Sequence, residues 1–369
     1  MLRLLFAVVF LALINACTTG MPKMVYSEAE IRDVFLERLS PEEQEIASIP
    51  FTIPDSIVQN LRFKTRKMTF SGKLDYILES LTRENIFALK YREGVTHTAN
   101  ELLEEGYGNC IAFSHLMIGV TRKMGIESNY VYIVRNPTFT LSDHAIIVNY
   151  HMMVGIADGP EYRFYDFRPG FNRFFTRLNG VDDLEGIALH YNNLGAWAMQ
   201  IENFDLARRY LSIAHKLAPQ NSEILSNYGL YFLRTDDPAM AKIKFKEAIN
   251  QDEICYPAWH NLFYVTLQEK NWSEFYSLKQ KVETMNAPTL KVFLANLAYQ
   301  NKEYASTLNY LRAIDASKTR LYIIDLLRAQ AYFQLQDYQR AKEYLTKYRV
   351  QAPEDMHALI LENKLKKFE

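Results

Sequence analysis

From about Ala188 onward the chain repeats itself every 34 residues. Gly195 and Gly229 are 34 apart, as are Ala207 and Ala241, and Ala214 and Ala248. A larger residue recurs as Phe204, Pro238, Trp272, Tyr304 and Tyr338, at spacings of 34, 34, 32 and 34. Ala341 follows Tyr338 by three residues, as Ala207 follows Phe204, and Pro219 and Pro353 close the first and last units. This stretch carries no strand signal. A helical unit of that length cannot bury both its faces alone, so it must stack on its neighbours. Small residues belong where two helices cross, and aromatic side chains fill the space between. Phe263 and Phe275 stand where small residues are expected, which predicts a distorted third unit or a spacer. The terminal EDMHALILENKLKKFE is amphipathic and is expected to cap the stack.

This pattern resembles tetratricopeptide repeats over roughly residues 188–355. The resemblance implies a concave groove that takes a protein or peptide partner. Asn192, Asn193, Asn227 and Asn261 recur on the first helices, as hydrogen-bonding groups for such a peptide or as an ordinary solvated face. Charge argues against nucleic acid as the partner. Lys+Arg is 42 against Asp+Glu 43, without the basic footprint that general nucleic-acid binding needs.

Residues 27–103 read as helices with marked starts. Ser27 with Glu30, Ser40 with Glu43 and Thr98 with Glu101 fit the capping box, and Pro41 suits a first helical position. The helix opened by Thr98 is expected to stop near Gly106 and Gly108. NCIAFSHLMIGVTRKMG is apolar almost all round, which predicts a buried helix ending at Gly125. NYVYIVRN, HAIIVNY and EYRFYDF then alternate with period two and read as three strands. The first part is therefore expected to be an α+β domain, its cysteine-bearing helix packed on an antiparallel sheet.

Three cysteines define three questions. MLRLLFAVVFLALINAC has a charged start at Arg3 and an apolar run over residues 4–14, too short to span a bilayer at ~20 residues. With INAC at residues 14–17 it resembles a bacterial lipoprotein signal. That resemblance implies cleavage before Cys17, acylation of Cys17, and a membrane-anchored protein; Thr18 after the cysteine points to the outer membrane, facing the periplasm. Cys255 lies between repeats and reads as inert packing. Cys110 follows a Gly-containing turn at a helix start, where the dipole favours a thiolate. A buried filler thiol is the alternative.

The strands bear on that choice. His144 opens HAIIVNY and Asp166 closes EYRFYDF, and antiparallel neighbours bring such ends together. Paired directly, with 150–160 as the connection, His144, Ile146 and Val148 would share a face with Tyr162, Phe164 and Asp166. His115 lies off the Cys110 position on its helix and reads as structural or at a rim; His151, in the connection, reads as surface, with a place at the cleft edge as the alternative. The order Cys, His, Asp, with THTANELLEEGYGNCIAFSHLMIGVTRKMGI, resembles the transglutaminase-like superfamily, whose domain is papain-like. That resemblance implies Cys110 as nucleophile, His144 as base and acid, Asp166 as orienter, no cofactor, and hydrolysis or transfer of an amide. The rival expectation is an inactive envelope scaffold acting through its repeats. The expected division is signal 1–16, tether 17–26, transglutaminase-like domain 27–182, and repeats with a capping helix over 183–369.

Overall fold

The computed structural model describes residues 24–82, 89–134, 139–142, 145–148, 151–158, 161–167, 177–312, 314 and 322–368. Cys17 and His144 lie outside the described residues. Two compact units separate. One gathers the described residues up to 131 with those of 152–169 and 180–190. The other gathers those of 132–151 and 170–179 with 191–369.

Among the described residues four helices come first: α1 (Glu28–Arg38), α2 (Pro41–Gln44), α3 (Asp55–Thr65) and α4 (Phe70–Thr82). After β1 (Lys90–Tyr91) come α5 (Ala99–Glu105), β2 (Tyr107–Gly108) and α6 (Cys110–Lys123). All three capping boxes form, at Ser27, Ser40 and Thr98, each with both reciprocal bonds. Gly106 ends α5 at φ 77°, a left-handed cap open to glycine without strain.

Helix α6 is the core of its unit. Residues 111–121 are all buried, as an all-round apolar helix requires. A Cβ on Gly119 would stand 2.2 Å from the Phe51 carbonyl oxygen, so only glycine lets α6 press against that backbone. At its other end Arg122 forms a two-point bridge to Asp183 (2.7 and 2.8 Å) and also donates to the Ser128 carbonyl. Asp183 is fully buried and also accepts from the Tyr26 amide. A buried carboxylate needs such saturation.

Six further strands follow: β3 (Ser128–Val134), β4 (Phe139–Ser142), β5 (Ala145–Val148), β6 (His151–Asp158), β7 (Glu161–Tyr165) and β8 (Arg177–Val181). Four form a sheet in the order β7-β6-β3-β8, and β4 pairs antiparallel with β5 alone. The expected pairing of HAIIVNY with EYRFYDF is therefore corrected. The partner of β7 is β6, with Val154 opposite Tyr165 and Gly155 opposite Phe164, a strand drawn from the residues expected to be a connection. Its first six residues are buried without alternation, as befits a strand flanked on both sides.

The rest is helical: α7 (Asp183–Gln200) with α8 (Phe204–Leu217), α9 (Ser222–Arg234) with α10 (Pro238–Gln251), α11 (Tyr256–Gln268) with α12 (Trp272–Thr284), α13 (Pro288–Gln300) with α14 (Tyr304–Arg312), α15 (Ile323–Gln334) with α16 (Tyr338–Arg349), and α17 (Met356–Leu365). All five pairs turn the same way. Glu202, Asp236, Lys270, Lys302 and Gln336 take φ of 55–64°, and the next amide bonds back five residues, as Asn203 does to the Ala198 carbonyl (2.9 Å) and Asp337 to Tyr332 (2.9 Å). This is the Schellman closure built on non-glycine residues. In four of the turns the same next residue, Asn203, Asp237, Asn271 or Asp337, caps the following helix. A Cβ on Gly195 would meet Leu211 at 2.6 Å, and one on Gly229 would meet Phe245 at 2.6 Å, so both glycines mark the predicted crossings. The third pair is regular at its turn but packs less closely than the second. Phe263 replaces the crossing glycine there and lies edge-on to Phe275, ring centres 5.5 Å apart.

Candidate functional site

Cys110 is the first residue of α6 and half-buried. Asn109 precedes it as N-cap: its side-chain oxygen accepts from the Ala112 amide (3.2 Å), while its Nδ2 donates to Thr96 Oγ1 (2.7 Å). The Asn109 amide bonds to the Val95 carbonyl (2.8 Å), and β2 pairs in parallel with β1, Tyr91 beside Gly108. A Cβ on Gly108 would meet that of Ala112 at 2.9 Å. The turn before the cysteine is thereby held from both sides, which presents Cys110 at the positive end of a 14-residue helix.

Asp166 follows β7. The ring of Phe113, one turn along α6 from Cys110, stacks on Phe167, centres 5.3 Å apart. This contact sets the first turn of α6 against the end of β7, and so brings the elements carrying Cys110 and Asp166 together. The structure gives no such placement to His144, which lies outside the described residues.

One histidine was misjudged from sequence. His151 opens β6 and is 2% exposed, where a surface position was expected. β6 pairs with β7 from Val154 opposite Tyr165 to Asp158 opposite Glu161. Side chains alternate along a strand, so His151 lies on the face of β6 that carries Met153. The readable signal was the stretch HMMVGIADGPEYRFYD, two apolar-rich segments around Asp158-Gly159-Pro160, which reads as a hairpin with His at its start and Asp at its end.

His115 is structural, and fully buried. Its Nδ1 lies 2.6 Å from Tyr130 Oη and its Nε2 lies 3.3 Å from Nδ1 of buried His190. Burial and the neighbouring His190 hold His115 well below the usual imidazole range, and burial brings His190 down to about 4. Cys255 is also inert packing: it is 1% exposed, and burial pushes its thiol up to about 12. Among the described residues no group of three or more His, Cys, Asp or Glu is placed to hold a metal ion.

In the repeats, three of the recurring asparagines are already engaged, Asn261 by the neighbouring His260 ring (Oδ1 to Nδ1 3.2 Å). Asn192 is buried and donates to Glu223 (3.4 Å), Asn227 donates to Asn192 (2.9 Å), and Tyr132 donates to the same Glu223. Further along, a cavity of about 220 Å³ is lined only by α11 and α13, the first helices of two successive pairs. Its floor holds Phe263, Leu267, Phe293 and Leu297. Tyr264, Gln268, Asn296 and Gln300 also line it.

Residues 58–169, 112 of the 369, match the family described as the transglutaminase-like superfamily. No curated protein matches the chain. Among solved structures it is similar to Pseudomonas aeruginosa PilF (19% identity, 49% of this chain and 83% of that one, TM-score 0.36). It is also similar to PilW, described as a widely conserved type IV pilus biogenesis factor (18%, 48% and 87%, TM-score 0.36), and to YrrB, described as a tetratricopeptide-repeat protein with an unusual peptide-binding site (16%, 48% and 92%, TM-score 0.31). The fold is that of a transglutaminase-like α+β domain followed by an all-α solenoid of tetratricopeptide type.

Proposed function

We propose that this chain is an envelope interaction protein that binds an extended peptide segment of a protein partner on its helical repeats. The cavity between α11 and α13 carries the reading. Its aromatic and aliphatic floor suits one apolar side chain, and amide groups at Gln268, Asn296 and Gln300 both donate and accept, as a peptide backbone requires. A photo-crosslinking amino acid at Tyr264 is expected to trap the partner in intact cells, and Phe293→Ala or Asn296→Ala to reduce the adduct about ten-fold. Crosslinking from exposed Trp272 on α12 but not from Tyr264 would place the partner elsewhere and sink the assignment.

Attachment through an acylated Cys17 belongs to the same proposal. Its support is the short apolar run ending in INAC. Cys17→Ser is expected to abolish incorporation of labelled palmitate and to release the protein from the membrane fraction. Unchanged labelling in that variant rules the anchor out.

A second reading, thiol chemistry at an amide, is favoured by one observation: half-buried Cys110 opens α6, and Phe113 one turn along that helix stacks on Phe167, the residue after Asp166. On this reading Cys110 attacks the carbonyl carbon, the amine leaves with a proton from the base, and water or a second amine releases the thioester. His151 is the base we assign, as the buried histidine that opens β6, the strand paired with β7; His144 is the alternative.

A further inference from the structure

The chain is close to neutral, with a formal net charge of −1, yet one stretch is strongly one-signed. Residues 56–74 hold Arg62, Lys64, Arg66, Lys67 and Lys73 and no Asp or Glu. They run from α3 through the turn into the start of α4. The acid that precedes them, Asp55, is already bound to Lys123 (2.6 Å). Arg62 donates to the Lys123 carbonyl at the end of α6. Lys64, Arg66 and Lys67 are exposed, with no ion pair to an acid among the described residues.

The same surface exposes large apolar side chains. Phe63 is 66% exposed, Met68 38% and Phe70 39%. They fall within eight residues, whereas the inward positions Val58, Leu61 and Thr65 of α3 are buried. The Arg66 guanidinium lies over the Phe63 ring at 4.1 Å, a cation beside an aromatic face that remains open. Apolar groups displayed together on a folded surface mark a binding face. Cations interleaved with aromatic and Met side chains at one helix junction are the chemistry of a lipid–water boundary: the rings enter the acyl edge while the long basic side chains reach the headgroup phosphates.

We propose that the α3–α4 junction of the α+β unit is a membrane-contact surface that seats on an anionic phospholipid bilayer. Lys64, Arg66 and Lys67 meet the phosphates, and Phe63, Met68 and Phe70 enter the interface. The surface acts whether or not Cys17 is acylated, so its test stands apart from the test of the anchor.

The experiment uses the chain from Thr18 onward, which keeps every described residue, and measures co-sedimentation with vesicles. Binding is expected to vesicles of phosphatidylcholine containing one third phosphatidylglycerol, to be absent for phosphatidylcholine alone, and to fall as salt is raised. Each basic residue at an anionic surface is worth about five-fold in partition, so the triple variant Lys64→Gln, Arg66→Gln, Lys67→Gln is expected to lose about 100-fold. Phe63→Ser is expected to lose about ten-fold while keeping the salt dependence, since it removes buried apolar area and no charge. Both variants alter exposed side chains, and an unchanged circular dichroism melt confirms the fold. Equal partition to the two vesicle types, or unchanged partition of the triple variant, overturns the proposal. Stronger retention on heparin than on vesicles of matched charge overturns it in favour of a soluble polyanion.

Discussion

On the thiol reading, His151→Ala is expected to slow alkylation of Cys110 by iodoacetamide at neutral pH by roughly ten- to thirty-fold. An ordinary thiol is only a few per cent ionised at that pH, whereas an imidazolium partner brings the thiolate fraction close to one. The intrinsic nucleophilicity of a more acidic thiol is lower, which trims the gain and sets the range. The measurement reports one site: Cys255 is buried with its thiol pushed up to about 12, and Cys17 is replaced by serine. Asp166→Asn is expected to slow the reaction less than His151→Ala, because an orienter acts only through the base. His144→Ala separates the two histidines. A slow His144→Ala beside an unaltered His151→Ala moves the base to His144. Rates unchanged in all three variants leave the α+β unit a passive module and the repeats as the working part.

Acidification is expected to loosen α6 where His115 meets His190 of α7. His115 and His190 face each other at 3.3 Å with both rings buried, and only one proton fits between the facing nitrogens. Tyr130 closes the other side of His115, and the field at His190 comes from Glu101, which favours its charge, and His97, which opposes it. His190 sits at about 4 in the folded chain, against about 6.5 once unfolded. The unfolded chain therefore binds more protons in that window, and folding stability falls as pH falls through it. A depression of this size corresponds to on the order of 3 kcal/mol at its limit. The protection factors of the α6 amides, with the intrinsic pH dependence of exchange divided out, are expected to fall between about pH 7 and about pH 4.5. His190→Gln removes the titrating group and keeps a hydrogen-bonding side chain, so it is expected to flatten that dependence. An equally steep dependence in the variant assigns the acid sensitivity to carboxylates instead.

Much of the helical architecture is decided by neighbours in the chain, and sequence shows it. Ser27, Ser40 and Thr98 satisfy amides three residues away, so the capping boxes are read from four letters and are found as read. The 34-residue spacing of Gly195 and Gly229 likewise marks two crossings, where a side chain would collide with Leu211 or Phe245. The turns of the repeats were not legible in the same way. Their left-handed position is filled by Glu, Asp, Lys, Lys and Gln, of which only Asp236 is of a type enriched at positive φ. The closing hydrogen bond five residues back, together with the cap that follows, holds them there. Strand pairing lay further out of reach. The even separation of His144 and Asp166 is a condition that half of all residue pairs meet. The true partner strand, β6, lies between two others and is buried on both faces, so it lacks the alternation by which a strand is recognised. Its sequence position therefore read as a connection, and His151 with it. The chain by itself determined where helices begin and which of them must stack, because those choices rest on bonds within one turn and on a fixed period. Only the tertiary structure decided which strand stands beside which, and that His115 meets His190 from 75 residues away, because those pairings are set by burial against elements distant in sequence.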